Sequence, residues 1–161
     1  MPRRSTMRSF TNEVFVDTGA FIALLSESDR HHEAADRAYA DLLHKRCLLY
    51  STNHIIDETC NWLLRDRTSG HRAALRFGRM ISTGSVPATP HDLPKWLAEH
   101  KMILLYSTPA VENLAWDILS RYDSAGFSYT DCVSFAVMQL LGIRRAFTYD
   151  SHFDMMGFER V

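Results

Sequence analysis

VFVDTGAFIALL, residues 14–25, decides how the rest of the chain is read. Val14, Phe15 and Val16 form an unbroken run of β-forming residues, the pattern of a strand covered on both faces. The strand, EVFVDT over 13–18, reaches a carboxylate at Asp17, and the following AFIALLSES reads as a helix. A buried strand that feeds a helix is the first half of a βαβ unit, and Asp17 stands where strand gives way to helix.

The alternation continues outward from this segment. CLLYST (47–52), MILLYST (102–108) and RRAFTYD (144–150) read as further strands, and FERV near the end as a fifth. Between them HHEAADRAYADLLHKR, NHIIDETCNWLLRDR, HRAALRFGRMIS, PAVENLAWDILSRY and YTDCVSFAVMQLLG read as helices, the last ending at Gly142. Strands separated by helices predict right-handed crossovers and an α/β fold, with a parallel sheet of four or five strands covered by helices on both faces.

The chain has 161 residues, 46% hydrophobic and 23% charged, which suits one globular domain over 13–161. Such a length buries roughly 70% of the unfolded surface and needs no disulfide or metal to fold. Cys47, Cys60 and Cys132 show no CxxC spacing and lie in or beside apolar runs, so they are expected as buried, reduced thiols of a cytoplasmic protein. The longest nearly apolar run, CVSFAVMQLLG, is too short to cross a bilayer, so no membrane partner is expected. Residues 1–12 read as a flexible basic arm, and 83–101, with three of the five prolines, as an inserted loop with a short helix.

The net charge of −1 excludes a polybasic binder but permits segregated charge. RDRTSGHRAALRFGR carries Arg65, Arg67, Arg72, Arg76 and Arg79 against Asp66 alone. These arginines read first as solvated helix faces, with Arg65, Arg67 and Arg72 as candidates to track a nucleic-acid backbone. His31 and His32 are expected at the surface, and Cys132 in the core rather than as a nucleophile.

Three more acids occupy positions comparable to Asp17. Asp150 ends the RRAFTYD strand, Glu58 lies on the second turn of the helix after CLLYST, and Asp131 lies in the first turn of the helix after GFSY. Parallel strands would bring all four to one edge of the sheet, where open sheets bind ligands. On the Glu58 helix, Ile55, Ile56, Thr59, Cys60, Trp62 and Leu63 form the apolar face at 100° per residue. Glu58 borders that face and Asp57 points away, so Glu58 is the acid that reaches the fold. The Asp131 helix is apolar nearly all round, through Leu140 and Leu141, and is expected to be central and buried.

Each acid also has an ordinary reading. Asp17 can cap a helix, Asp131 can be the third residue of a capping box with Ser128, Glu58 can pair with an arginine, and Asp150 can shape a turn. Two close carboxylates repel by about 4 kcal/mol at an effective dielectric near 20. No Lys or Arg lies within two residues of any of the four, so a shared hard cation, Mg²⁺ or Mn²⁺, accounts for all of them together. Zinc is disfavoured, because no HxxxH or HExxH occurs among the eight histidines.

With these motifs in place, the chain resembles the PIN-domain nucleases, and within them the VapC-like toxins of toxin–antitoxin modules, from about residue 13 to the end. VFVDTGAFIALL resembles the first-strand motif, IIDETCNWL the second, and SYTDCVSFAVMQLLGIRRAFTYDSHFDMMGF the C-terminal signature, with Thr148, Phe153 and Gly157 in its Thr-x-Asp-x-x-Phe-x-x-x-Gly pattern. Gly19 departs from the Ser or Asn usual two places after the first Asp, and 83–101 is longer than in compact toxins.

The resemblance implies a three-layer PIN-like fold and an endoribonuclease using Mg²⁺, or Mn²⁺, held by Asp17, Glu58, Asp131 and Asp150, with Thr18, Thr130 and Thr148 as supporting donors. It further implies RNA as substrate, 5′-phosphate and 3′-hydroxyl product ends, a homodimer, and neutralisation by a small antitoxin. Other readings are a PIN nuclease for RNA processing or DNA, and a non-catalytic PIN module, which commonly loses acids that this chain retains. A receiver-like phospho-acceptor domain is a poorer fit, lacking the acidic pair after the first strand and the lysine after a late one.

Overall fold

The computed structural model describes residues 12–83 and 102–161. The basic arm lies outside the described residues except for Asn12, and the expected inserted loop except for Thr83.

The described residues alternate as β1 (Glu13–Val16), α1 (Thr18–Leu25), α2 (His32–His44), β2 (Leu48–Thr52), α3 (Asn53–Leu63), α4 (Gly70–Thr83) and β3 (Ile103–Leu105). They continue as α5 (Pro109–Arg121), α6 (Tyr129–Leu141), β4 (Arg145–Phe147), α7 (His152–Met155) and β5 (Glu159–Arg160). The strands make one sheet in the order β3-β2-β1-β4-β5, with every pairing parallel. The chain runs outward from β1 to β3 and then returns to set β4 on the other side of β1. The order therefore reverses between β1 and β4, the place in an open parallel sheet where a crevice forms.

The register Phe15↔Ala146 and Val16↔Phe147 puts Phe15 and Phe147 on opposite faces of the sheet. Phe15 meets Phe153 of α7 at 6.4 Å between ring centroids, and Phe147 meets Tyr39 of α2 at 6.5 Å. Helices thus cover both faces, as the right-handed crossover rule requires of a sheet built in two directions. Val14, Phe15 and Val16 are wholly buried, which is why β1 reads as a continuous apolar run rather than an alternating one.

Helix α6 is buried from Cys132 to Met138, but Leu140 and Leu141 are exposed, contrary to the expectation of burial throughout. The two leucines are the last two residues of the helix, beyond its buried stretch. The helix ends at Gly142, whose φ of 71° places it in the left-handed region that glycine adopts without strain. Strands β3 and β4 are shorter than the seven residues expected for each. At the sheet edge Tyr106 is already exposed, and after Phe147 the chain turns at Thr148 into α7. Between α3 and α4 the helices pack so closely that a Cβ on Gly70 would lie 2.1 Å from the Leu63 carbonyl oxygen.

Candidate active site

Asp17 follows β1 and starts α1 without capping it by its side chain. Its backbone N–H still donates to Phe147 O at 3.1 Å, so the β1–β4 pairing fixes its backbone. The carboxylate is almost wholly buried and accepts from the Thr148 hydroxyl at 2.8 Å. Burial pushes its pKa up to about 7, against the Thr148 and Thr18 hydrogen bonds, and the negative charges of Asp131 and Asp150 add to the rise. An acid held in that state is short of a compensating cation.

Glu58 reaches the same cleft from α3. Its Oε2 accepts from Thr18 Oγ1 at 2.5 Å, which ties α3 to the residue after Asp17. Ile55, Ile56 and Thr59 form the buried face of α3, while Asp57 lies on the outside and accepts from Asn61. Glu58 is exposed like Asp57, but of the two it is the one that lines the cleft.

Asp131 is both a capping residue and a cleft residue. Ser128 Oγ accepts from the Asp131 N–H at 3.0 Å and the Ser128 N–H donates to Asp131 Oδ2 at 2.8 Å, a complete capping box. The box fixes the carboxylate at the helix start without removing it from the cleft. Asp150 is oriented by its own turn: its N–H donates to Thr148 Oγ1 at 3.0 Å, and the His152 N–H donates to its Oδ1 at 2.9 Å.

His152 is the site residue that sequence reasoning missed. Its Nδ1 is buried, lies 3.2 Å from Asp150 Oδ2 and 3.5 Å from Asp131 Oδ2, and makes no well-aligned hydrogen bond. One ligand atom from each of Asp131, Asp150 and His152 lie within 4.8 Å of one another. The ring packs edge-on against Phe127 at 5.0 Å, which holds it in place. The available signal was its place two residues after Asp150, in DSHF.

Asp17, Thr18, Glu58, Asp131 and Asp150 line one open cleft of about 610 Å³, together with Trp62, Arg65 and Tyr149. Thr148 stands behind Asp17, holding it. Thr130 contributes only its carbonyl, which accepts from Ser134, and its hydroxyl makes no hydrogen bond among the described residues. Of the three candidate arginines, Arg65 lines the cleft and Arg67 and Arg72 do not. His31 and His32 are half-buried rather than at the surface. His31 stacks on Tyr149 at 4.1 Å and 8°, and His32 Nδ1 donates to Ala23 O at 2.7 Å. Cys132 is fully buried, and burial followed by the Asp131 charge pushes its thiol up to about 11, so it is no nucleophile at neutral pH. All three cysteines are free, though Cys47 and Cys60 are only half-buried.

A family profile described as PIN domain matches residues 14–159. The chain belongs to the PIN domain family. Among individual PIN proteins it is 33% identical over 148 residues to the 23S rRNA-specific endonuclease VapC20 of Mycobacterium tuberculosis (strain H37Rv), spanning 92% of this chain and 97% of that protein. It is 27% identical over 142 residues to the VapC ribonuclease of Archaeoglobus fulgidus, spanning 87% of this chain and 78% of the relative. The crystal structure of the M. tuberculosis toxin VapC20, described as sarcin–ricin-loop cleaving, superposes with a TM-score of 0.73 at 31% identity, covering 92% of this chain and 98% of that one.

The side chains of this PIN domain suit a divalent cation. Carboxylates dominate the donor set, one of them is held near neutrality by burial, and an imidazole nitrogen without a partner points between two others. No helix among the described residues is long and apolar enough to cross a membrane.

Proposed function

We propose that this PIN domain is a metal-dependent endoribonuclease of the VapC toxin type, hydrolysing RNA phosphodiester bonds in the cleft of Asp17, Glu58, Asp131 and Asp150. The observation that carries the reading is their convergence. They come from the end of β1, α3, α6 and the turn after β4, meet at the strand-order reversal, and line one cleft with Arg65 as its only lysine or arginine among the described residues. The similarity to two VapC nucleases over most of the chain supports the same reading.

Mg²⁺ or Mn²⁺ is the proposed cofactor, held by these carboxylates with His152 Nδ1 beside Asp131 and Asp150. When bound, the ion supplies positive charge and Lewis acidity toward a phosphodiester and the attacking water. The protein's part is to hold the donors ready. Thr148 fixes Asp17, Thr18 fixes Glu58, Ser128 fixes Asp131, and the turn at Asp150 fixes itself, so little reorganisation is left for the reaction. Arg65, at the rim, is placed to meet a phosphate. With water as nucleophile, the products carry 5′-phosphate and 3′-hydroxyl ends.

The proposal extends to a toxin–antitoxin role in the cytoplasm, with a small antitoxin and a second copy of the chain as partners. The first substrate to test is ribosomal RNA, the target named for the VapC20 relative. Incubation with ribosomal RNA and Mn²⁺ is expected to give discrete fragments that EDTA abolishes. Intact RNA across a panel of ribosomal, transfer and messenger species would contradict the assignment.

A further inference from the structure

The acid cleft does not end at Glu58. Trp62, one turn further along α3, and Arg65, two residues past its end, also line a second cavity of about 360 Å³. This cavity lies between the ends of α1 and α3 and the start of α4, and the carboxylate reading has no use for it. Its volume falls within the range of small-molecule sites.

The walls of the cavity have a consistent chemistry. Leu25, Leu63 and Ala73 supply apolar surface, and the half-buried indole of Trp62 stands between cavity and cleft. One edge is polar. Asp66 Oδ2 accepts from Ser69 Oγ at 2.5 Å and its Oδ1 accepts from the Thr68 N–H at 2.9 Å. These bonds hold the carboxylate in one orientation and keep its pKa below the usual range, Ser69 contributing most, so it is an ionised acceptor with lone pairs left over. Arg65 is exposed at the junction and makes no ion pair among the described residues.

We propose that this cavity receives a single unpaired nucleobase of the RNA, stacked on Trp62, while Arg65 holds the phosphate that joins it to the nucleotide in the acid cleft. The inference rests on the ribonuclease reading and adds a recognition subsite to it. A planar ring with apolar faces and a hydrogen-bonding edge matches apolar walls with one fixed carboxylate. The edge that faces Asp66 must carry N–H donors, which favours a base with an exocyclic amino group over uracil. RNA is favoured over a protein segment by continuity: the same two side chains serve cavity and cleft, and one of them is a cation suited to a polyanion.

The test is an abasic scan. Fluorescein-labelled RNA hairpins bound by the wild type are prepared with one abasic nucleotide at each loop position in turn. Binding is measured by anisotropy in EDTA, so that no cleavage intervenes, for wild type, Trp62→Leu and Trp62→Phe. One abasic position is expected to weaken wild-type binding about tenfold. Trp62→Leu is expected to lose a similar factor on intact RNA and nothing more at that abasic position, while Trp62→Phe restores most of the binding. Asp66→Asn, at an exposed position that does not risk the core, is expected to flatten the preference among bases there. A flat scan with equal affinity for wild type and Trp62→Leu overturns the inference, and is what a cavity serving a protein partner would give. Cleavage is scored separately on the same hairpins. RNA that is cut with a flat scan refutes the subsite alone, and an RNA that is bound with the coupled pattern yet never cut refutes the nuclease reading alone.

Discussion

The Thr148 hydroxyl donates a 2.8 Å hydrogen bond to Asp17 Oδ2 across 131 residues of chain, and the same oxygen of Thr148 accepts from the Asp150 N–H at 3.0 Å. One small side chain thus joins two acids at the strand-order reversal. Thr148→Val keeps the shape and removes both bonds, leaving a buried carboxylate oxygen and a backbone N–H unsatisfied. The expected cost is about 1–3 kcal/mol in urea unfolding. Mn²⁺ affinity is expected to fall about tenfold by calorimetry, with Thr148→Ser restoring both. Equal Mn²⁺ affinity in the Val variant would remove Thr148 from the support of the site.

The titration of Asp17 gives a pH signature in metal-free protein. Its folded-state pKa of about 7 lies above the ordinary aspartate value of 3.8, so the folded chain binds this proton more tightly than the unfolded one. The stabilisation is complete below about pH 4 and is lost as pH rises through 7. Asp17→Asn cannot ionise and is expected to be more stable than wild type at pH 8 by up to about 4 kcal/mol, with the difference vanishing near pH 4. Saturating Mn²⁺ should reverse the order at pH 8, because the ion binds the carboxylate. Parallel pH profiles for the two metal-free proteins would show that Asp17 is not strained.

His152 makes a prediction about metal rather than fold. Its ring is held by Phe127, and its Nδ1 stands beside two carboxylates. His152→Ala is expected to weaken Mn²⁺ binding about tenfold. An isotope-edited pulsed electron resonance spectrum of the Mn²⁺ complex should show a histidine nitrogen coupling that the variant lacks. Unchanged affinity and no nitrogen coupling in the wild type would confine the ion to the carboxylates.

Two glycines separate packing from function. A Cβ on Gly70 would meet Leu63 O at 2.1 Å, so Gly70→Ala must push α3 from α4, at an expected cost of more than about 2 kcal/mol. A Cβ on Gly19 would lie 3.6 Å from Asp17 Oδ2, an ordinary contact, so Gly19→Ala is expected to change stability by less than about 1 kcal/mol. Thermal melts of the two variants decide this, and a larger loss at Gly19 would mean that the first turn of α1 is packed more tightly than its geometry indicates.

The parts of this fold that follow a local period were readable from the chain. The apolar run at Val14–Val16, the inward face of α3 that selects Glu58 over Asp57, and the cap at Ser128 are each set by neighbours within one or two turns. Asp131 shows why two competing readings need not exclude each other: its carboxylate closes the capping box and still lines the cleft. What depends on distant contacts was not readable. The exposure of Leu140 and Leu141 turns on what packs against the end of α6, and the place of His152 Nδ1 turns on the approach of Asp131 from another element. Arg65, Arg67 and Arg72 look alike in sequence, yet only the first lines the cleft.

The central claim is that the four carboxylates form a metal-dependent centre for RNA hydrolysis, and product-end mapping tests it most directly. End-labelled ribosomal RNA is incubated with wild type, Asp17→Asn or Asp131→Asn, with Mn²⁺, Mg²⁺ or EDTA. The account predicts cuts that require the metal, leave 5′-phosphate and 3′-hydroxyl ends, and fall by at least about a hundredfold in both variants while the fold remains intact by circular dichroism. Cleavage that persists in EDTA with 2′,3′-cyclic phosphate ends, or at full rate in Asp17→Asn, would contradict it.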